Sequence, residues 1–283
     1  MITPPTVASR TELEALLLDD VPHGDLTTLA LGLDTTPATM TFHARDAMTV
    51  ALVEDAAAII EIAGGAVELL ARSGGSLQSG DPILSARGPA TALLRSWKVA
   101  QTLVEIWSGV AACAHDIVAA ARAVAPNIAV ACTRKHTPGV KRFAVAAIRA
   151  GGASMHRLGL SDTILVFPEH RALCRDASLT DLATRVRRAT PEKKIVIEVK
   201  SVEEAMAATD AGFDVIQLEK FAPVDIVRVA ERLPRDRRPV LAAAGGINPS
   251  NAADYASAGA DVLVTSAPYT APPRDVQVRI AAI

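Results

Sequence analysis

Aromatic residues are scarce in this 283-residue chain: two Trp, two Tyr and five Phe make up 3% of it. The core must therefore be aliphatic, and the platforms on which single-stranded nucleic acids stack their bases are missing. A dominant charge is missing as well. The 29 Lys and Arg against 31 Asp and Glu leave a formal net charge of −2, which argues against a nucleic-acid partner while leaving room for a local basic patch. Cysteine is limited to Cys113, Cys132 and Cys174, odd in number and without a C-x-x-C pair, so a disulfide framework is not expected and a reducing cytoplasm is. No apolar run approaches the roughly 18–20 residues of a membrane span. The segment before Ser9 has no cation, and Leu16-Leu17-Leu18 is closed by Asp19-Asp20, unlike a secretory signal. The six histidines show no H-x-x-x-H or mixed Cys/His spacing, so no dedicated zinc site is expected. G-x-S-x-G, Walker A and G-x-G-x-x-G are absent too.

What is present is core material. Half of the residues are apolar and 21% charged, as in a globular protein. At about 150 residues per domain the length suggests two domains, although one barrel-sized domain fits almost as well. The first hundred residues mix their signals. Ser9 or Thr11 can cap a short helix with Glu12 and Glu14 in its first turn. Strands are expected at Thr39 to Arg45, Val67 to Arg72 and Ile83 to Ala86, with a helix from Glu54 to Ala63 stopped by Gly64-Gly65. From Pro89 to Ala123 the pattern is helical, with an interruption expected at Ser108-Gly109. A regular alternation follows. Short apolar strands are expected at Ile128 to Cys132, Thr163 to Phe167, Ile195 to Val199, Val215 to Leu218, Val240 to Ala243 and Val262 to Thr265, with helices such as Ser201 to Ala211, Val224 to Leu233 and Ser250 to Ala258 between them. Such alternation implies right-handed βαβ units and a parallel sheet, a barrel or else a doubly wound open sheet.

Each of these strands ends in polar residues: Thr133-Arg134-Lys135, Glu169-His170, Glu198 with Lys200, Glu219-Lys220, Gly245-Gly246 and Ser266. In a (β/α) barrel that end carries the active site. Arg134 and Lys135, with His156-Arg157 further on, suit a small anion, since arginine offers a planar fork and lysine a mobile point charge. Glu198 and Glu219 end successive strands. Two carboxylates beside a basic pocket can hold Mg²⁺ together with substrate phosphates, hydrogen-bond ribose hydroxyls, or stabilise an oxocarbenium-like carbon. A glycosidase pair is the competing reading, but a neutral sugar chain has no use for the cations. Gly245-Gly246-Ile247 is read as closing a strand and opening a helix, with backbone N–H groups free for phosphate and Thr265 and Ser266 completing the cradle. Cys132 ends an apolar strand and is read as core.

The succession of His23-Gly24-Asp25-Leu26-Thr27-Thr28, Ser108-Gly109-Val110-Ala111, Thr133-Arg134-Lys135, His156-Arg157-Leu158-Gly159-Leu160-Ser161-Asp162, Glu198-Val199 and Gly245-Gly246-Ile247-Asn248 resembles quinolinate phosphoribosyltransferases, also called nicotinate-nucleotide pyrophosphorylases (carboxylating). Trp97-Lys98-Val99-Ala100-Gln101, the His136-Thr137-Pro138-Gly139 extension and Phe167-Pro168-Glu169-His170 are most similar to the ModD branch, associated with molybdate-uptake genes. The resemblance implies an α/β fold: an N-terminal α/β sandwich domain over residues 1–110, and an open (β/α)6 TIM-like barrel over 111–283 whose last residues pack back on the first domain. It also implies a homodimer in which Lys98 enters the partner's site, and phosphoribosyl pyrophosphate with Mg²⁺ at Glu198 and Glu219. Arg134, Arg157 and their neighbours Lys135 and His156 match binders of an aromatic acid, and Gly245-Gly246 match the cradle of the 5′-phosphate.

There are departures. Lys98 stands where the family has an arginine, Phe167 where it has a lysine, and Glu219-Lys220 where it has Asp-Asn; Lys220 is a candidate to restore the lost charge. The expectation is therefore phosphoribosyl transfer with an acceptor preference moved away from quinolinate. The alternative is a non-catalytic anion sensor or accessory protein for molybdate homeostasis. The charge supports a small-anion site in either case. Seven cations and no acid lie between Asp116 and Asp162, leaving 22 Lys and Arg against 31 Asp and Glu elsewhere, a balance of −9.

Overall fold

A computed structural model describes residues 6–233 and 238–283; residues 1–5, part of the segment weighed as a secretory signal, lie outside it. The chain divides into two compact units. One comprises the described residues through His115 together with His136–Gly152 and Pro268–Ile283; the other comprises Asp116–Lys135 and Ala153–Ala267.

The first unit is built on a four-stranded antiparallel sheet in the order Val276–Ala282, Pro37–Ala44, Pro82–Pro89, Ala66–Leu69. The C-terminal strand thus pairs with the first strand, Phe42 opposite Val278. Along Pro37–Ala44 every second residue is buried, and Met40 and Phe42 are fully so, the period-two signature of a sheet with one covered face. The helix Val53–Ile62 buries Ile59 and Ile60. Ser9 caps the helix Arg10–Asp20 through a reciprocal box with Glu12.

Two expectations fail here for one reason. The helix Ala90–Val124 runs 35 residues without interruption at Ser108-Gly109. Ser108 is buried and its Oγ accepts the Ala51 N–H at 3.0 Å, while a Cβ on Gly109 would collide with the Pro272 carbonyl. Both residues are small because neighbouring backbone approaches closely, not because the helix breaks. The same helix contains an 18-residue window long and apolar enough to cross a membrane, contrary to the expectation that no such run exists; 56% of that window is buried inside the protein.

The second unit is a seven-stranded parallel sheet in the order Ser154–Met155, Ala129–Cys132, Val262–Thr265, Val240–Ala244, Val215–Glu219, Ile195–Val199, Ile164–Val166. Its two edges are not hydrogen-bonded to each other, which makes it an open barrel. Strands buried on both faces read as short continuous apolar runs, which is why six of the seven stand where the composition put them. Ser154–Met155 is only two residues long and carries no such signal. Glu169 and His170 do not end a strand; they lie in the helix Pro168–Leu173.

The amino ends of the strands are sealed by aspartates. Asp214 Oδ2 accepts the Ile195 N–H at 2.7 Å and Asp261 Oδ2 the Leu241 N–H at 2.8 Å, so each carboxylate satisfies a donor at the start of a neighbouring strand. Arg187 pairs with Asp214 at 3.2 Å and Arg238 with Asp261 at 2.8 Å. That end is used for stability. The carboxyl ends are left for chemistry.

Candidate active site

At the carboxyl ends of the parallel strands the second unit encloses a cleft of about 820 Å³. Eleven of the twelve side chains or glycines expected from the sequence line it: Arg134, Lys135, His156, Arg157, Glu198, Glu219, Lys220, Gly245, Gly246, Thr265 and Ser266. Sheet order arranges them by chemistry. The strands Ser154–Met155 and Ala129–Cys132 lead into the cations. The next two, Val262–Thr265 and Val240–Ala244, lead into hydroxyls and glycines, and Val215–Glu219 and Ile195–Val199 carry the carboxylates.

Arg157 is buried, only 7% exposed, and among the described residues no carboxylate oxygen lies within ion-pair distance of it. Burial first, then the charge of Arg134, pull its pKa below the ordinary arginine value, and Asp162 acts the other way. Its guanidinium lies 5.6 Å from the centroid of the Phe167 ring. Arg157 follows one edge strand and Phe167 follows the other. The rim of the open barrel is therefore closed by a cation–π contact where backbone hydrogen bonds are lacking. Phe167 in turn stacks on His170, 5.9 Å between centroids, and its N–H donates to His170 Nδ1 at 3.0 Å. A cation in this place would repel Arg157; the aromatic ring supports it. His156 lies beside Arg157, and burial followed by that charge lowers its pKa below the ordinary histidine value, favouring the neutral ring.

Glu198 is half-buried. Burial and then the charge of Glu219, with Glu169 adding, raise its pKa above the usual carboxylate range, against the opposing hydrogen bond from Gln217. That bond runs from Gln217 Nε2 to Glu198 Oε2 at 2.8 Å. Gln217 was not singled out from the sequence, although the signal is there: residues i and i+2 of a strand share a face, and Gln217 is two before Glu219.

The glycine turn is a device of backbone geometry. Gly245 and Gly246 have φ of 96° and 78°, open to glycine but strained for other residues. A Cβ on Gly245 would come within 2.7 Å of Lys220 Cγ and 3.2 Å of Lys220 N. Lys220 itself has φ 58°, held there as its N–H donates to Ala244 O at 2.7 Å. Asn248 and Asn251 brace the turn by donating to Gly246 O at 3.2 and 3.1 Å. Contrary to the expectation, the turn does not open a helix: the next one spans only Ala252–Ser257. Thr265 is buried, and its hydroxyl donates to Ile247 O at 2.6 Å while accepting the Ala267 N–H at 3.0 Å. It ties the last two loops together, leaving Ser266 and the glycine amides to meet a ligand.

Lys98 alone does not line this cleft. It belongs to the first unit, exposed, with Nζ 3.1 Å from Gln101 Oε1 and 4.2 Å from the Trp97 ring centroid. There it borders a groove of about 520 Å³ lined by Leu103, Ile106, Trp107, Phe143 and Tyr269 among others.

An open parallel barrel with a cleft of opposed cations and carboxylates at its carboxyl rim has the layout of a barrel enzyme's active site. Two domain descriptions match the chain: quinolinate phosphoribosyl transferase, N-terminal domain, over residues 25–108 and the C-terminal domain over 110–279. The ModD protein of Rhodobacter capsulatus is 48% identical over 243 residues, covering 86% of this chain and 94% of that one. The nicotinate-nucleotide pyrophosphorylase (carboxylating) of Mycobacterium leprae is 33% identical, with 92% of each covered. In fold, NadC from Streptococcus pyogenes superposes with a TM-score of 0.88 over 96% of both chains at 24% identity. The nicotinate-nucleotide pyrophosphorylase from Francisella tularensis gives 0.88 over 98% of this chain and 100% of that one, at 19% identity. The chain belongs to the quinolinate phosphoribosyltransferase family, whose members are pentosyltransferases.

Proposed function

We propose that this enzyme transfers the phosphoribosyl group of phosphoribosyl pyrophosphate to a small aromatic, quinolinate-like acid and releases pyrophosphate, in a cytoplasmic, molybdenum-linked setting. The observation that carries this reading is the order of the rim: cations, then glycines and hydroxyls, then carboxylates, around one cleft. A phosphorylated sugar bearing a leaving anion, facing an anionic acceptor, needs that sequence of groups.

In this mechanism the 5′-phosphate rests on the amides of Gly245 and Gly246 and on Ser266. Arg134, Lys135 and Arg157 hold the acceptor's carboxylate and the pyrophosphate, with Lys220 reaching in from the acidic side. The ring nitrogen of the acceptor forms the new bond to ribose C1 while the C1–O bond to pyrophosphate breaks, and the electron pair leaves with pyrophosphate. Glu198 and Glu219 balance the positive charge that builds on C1. Decarboxylation follows only if the acceptor carries a carboxylate next to its ring nitrogen. Among the described residues no group of three or more His, Cys, Asp or Glu forms a metal cage. Glu198 and Glu219 next to a phosphate site are the sparse oxygen donor set with which Mg²⁺ binds alongside substrate phosphates. When bound, the ion neutralises charge on the pyrophosphate. A homodimer fits the apolar groove beside Lys98, which a second copy would cover as Lys98 enters that copy's cleft.

The test is pyrophosphate release from phosphoribosyl pyrophosphate and Mg²⁺ with quinolinate, nicotinate and related aromatic acids. Release with at least one acid is expected, and its loss in Glu198→Gln. No release with any acid, and no binding of the sugar phosphate, would overturn the reading. No turnover in the unaltered protein, with anion binding retained or improved in Glu198→Gln, would favour the sensor alternative.

A further inference from the structure

The most unusual polar group in the cleft is one that the mechanism above does not use. Gln217 is 5% exposed, in the middle of the strand Val215–Glu219, and it lines the cleft floor. Its Nε2 is committed to Glu198, but its Oε1 is buried without a hydrogen-bond partner among the described residues. Register explains the asymmetry. Gln217 sits opposite Glu198 on one neighbouring strand and opposite Ala242 on the other, and a methyl group offers nothing to a carbonyl oxygen. The amide cannot turn round to repair this, because Oε1 would then face the Glu198 carboxylate. An unpaired buried acceptor costs stability that an apolar side chain of the same length would not. The flanking Ile216 and Leu218 show that this strand is otherwise built from such side chains.

We propose that Gln217 is a sugar-binding residue: its Oε1 accepts a hydrogen bond from a ring hydroxyl of the ribose, while its Nε2 holds Glu198 in place beside the neighbouring hydroxyl. Two acceptors side by side, one neutral and one anionic, match a vicinal diol. A phosphate, being an acceptor itself, gains nothing from either. The assignment rests on the phosphoribosyl reading and adds a residue to it.

The test compares ligands that differ by one hydroxyl. Binding of ribose 5-phosphate, its 2-deoxy and 3-deoxy analogues, and inorganic pyrophosphate is measured by calorimetry on the full chain and on Gln217→Met, which matches the side chain in length and leaves no orphaned acceptor. Gln217→Leu serves as a second variant, and thermal melting confirms that each is folded. The expected result is a loss of about 3- to 10-fold in ribose 5-phosphate affinity in Gln217→Met, the worth of one neutral hydrogen bond. Pyrophosphate affinity should be unchanged. One deoxy analogue should bind the variant as well as ribose 5-phosphate does, because the hydroxyl and its acceptor form one interaction and removing both costs no more than removing one. Unchanged ribose 5-phosphate affinity in the variant, or an equal loss for pyrophosphate, overturns the assignment and leaves the transferase reading intact. Failure of the unaltered protein to bind either ribose 5-phosphate or phosphoribosyl pyrophosphate overturns the transferase reading and the assignment with it.

Discussion

Replacing Arg157 by methionine should make the protein more stable and its cleft blind to anions. The guanidinium is 7% exposed and has no carboxylate within ion-pair distance among the described residues. Removing a charge from water costs several kcal/mol even after relaxation. The compensation in the structure is partial: a ring 5.6 Å away is worth about 2 kcal/mol. Asp162 attracts but already accepts the Leu158 N–H at 2.9 Å, and Arg134 repels. Exchange of buried charges for apolar side chains of similar size typically gains about 1–4 kcal/mol. With the cation–π contact forfeited, a gain of up to about 2 kcal/mol remains. In a chain of this size that is a rise of up to about 8 °C in melting temperature.

The same change should cost anion binding about 2–5 kcal/mol, the usual penalty for truncating a desolvated charge partner. Thermal melting with and without inorganic pyrophosphate reads both effects at once. The unaltered protein should start lower and climb with pyrophosphate, as any ligand that binds only the folded state requires. The variant should start higher and stay flat. Arg157→Lys should fall between, keeping the charge and losing the planar fork. A variant that melts several degrees below the unaltered protein, or that still responds to pyrophosphate, refutes the idea that Arg157 is held buried for an anion.

Thr265→Val conserves volume and removes the hydroxyl that joins Ile247 O to the Ala267 N–H. A loss of about 1–3 kcal/mol in chemical denaturation is expected, together with weaker ribose 5-phosphate binding; full retention of both would mean that the loops need no tie. In the first unit, Asp55 is fully buried and accepts the N–H groups of Val7 at 3.1 Å and Ala8 at 2.9 Å. Burial, more than its neighbour Glu54, raises its pKa above the unfolded value despite those bonds. The folded state therefore holds this proton to higher pH than the unfolded state. Its contribution to stability is present below the unfolded pKa of about 3.9 and declines as pH rises toward the folded pKa. Stability of the unaltered protein minus that of Asp55→Asn, from urea midpoints at several pH values, should fall across that window. A difference that rises with pH contradicts the assignment.

The sequence is most informative where one physical requirement dominates a position. Strands buried on both faces are mostly apolar, and Ile195–Val199 and Val262–Thr265 were recognisable with their observed ends. Charged residues directly after such runs have only the rim to occupy, so Arg134 and Glu219 were recognisable as one group before the strand order was known, while Arg157 stood out only as part of the cationic pair His156-Arg157. Positions serving two requirements were misread. Ser108-Gly109 looks like a helix break, yet each residue is small to admit a neighbouring backbone. Thr265 looks like a phosphate ligand, yet its hydroxyl is spent on two loops. Phe167 looks like the loss of a cation, and only the curvature of the sheet shows that it carries Arg157 from the opposite edge.

Four carboxylates in the second unit show how position, more than residue type, separates scaffold from site. Asp214 and Asp261 stand at the amino ends of their strands, each accepting a backbone N–H and paired with an arginine, so every lone pair that matters is satisfied. Glu198 and Glu219 stand at the carboxyl ends, where the dominant influences on Glu198 are burial and the repulsion of Glu219 itself. The cations divide in the same way: Arg187 and Arg238 close the amino end, while Arg157 is buried at the rim without a carboxylate within ion-pair distance among the described residues. Arg134, Lys135 and Arg157 are separated along the sheet from Glu198 and Glu219 by a row of glycines and hydroxyls, with Lys220 the one lining cation on the acidic side. Such separation costs folding energy and is useful only to a ligand that carries negative charge at one end and develops positive charge at the other. A net charge of −2 thus conceals two unsatisfied surfaces facing one cleft, and the substrate that completes both must itself be polarised along its length.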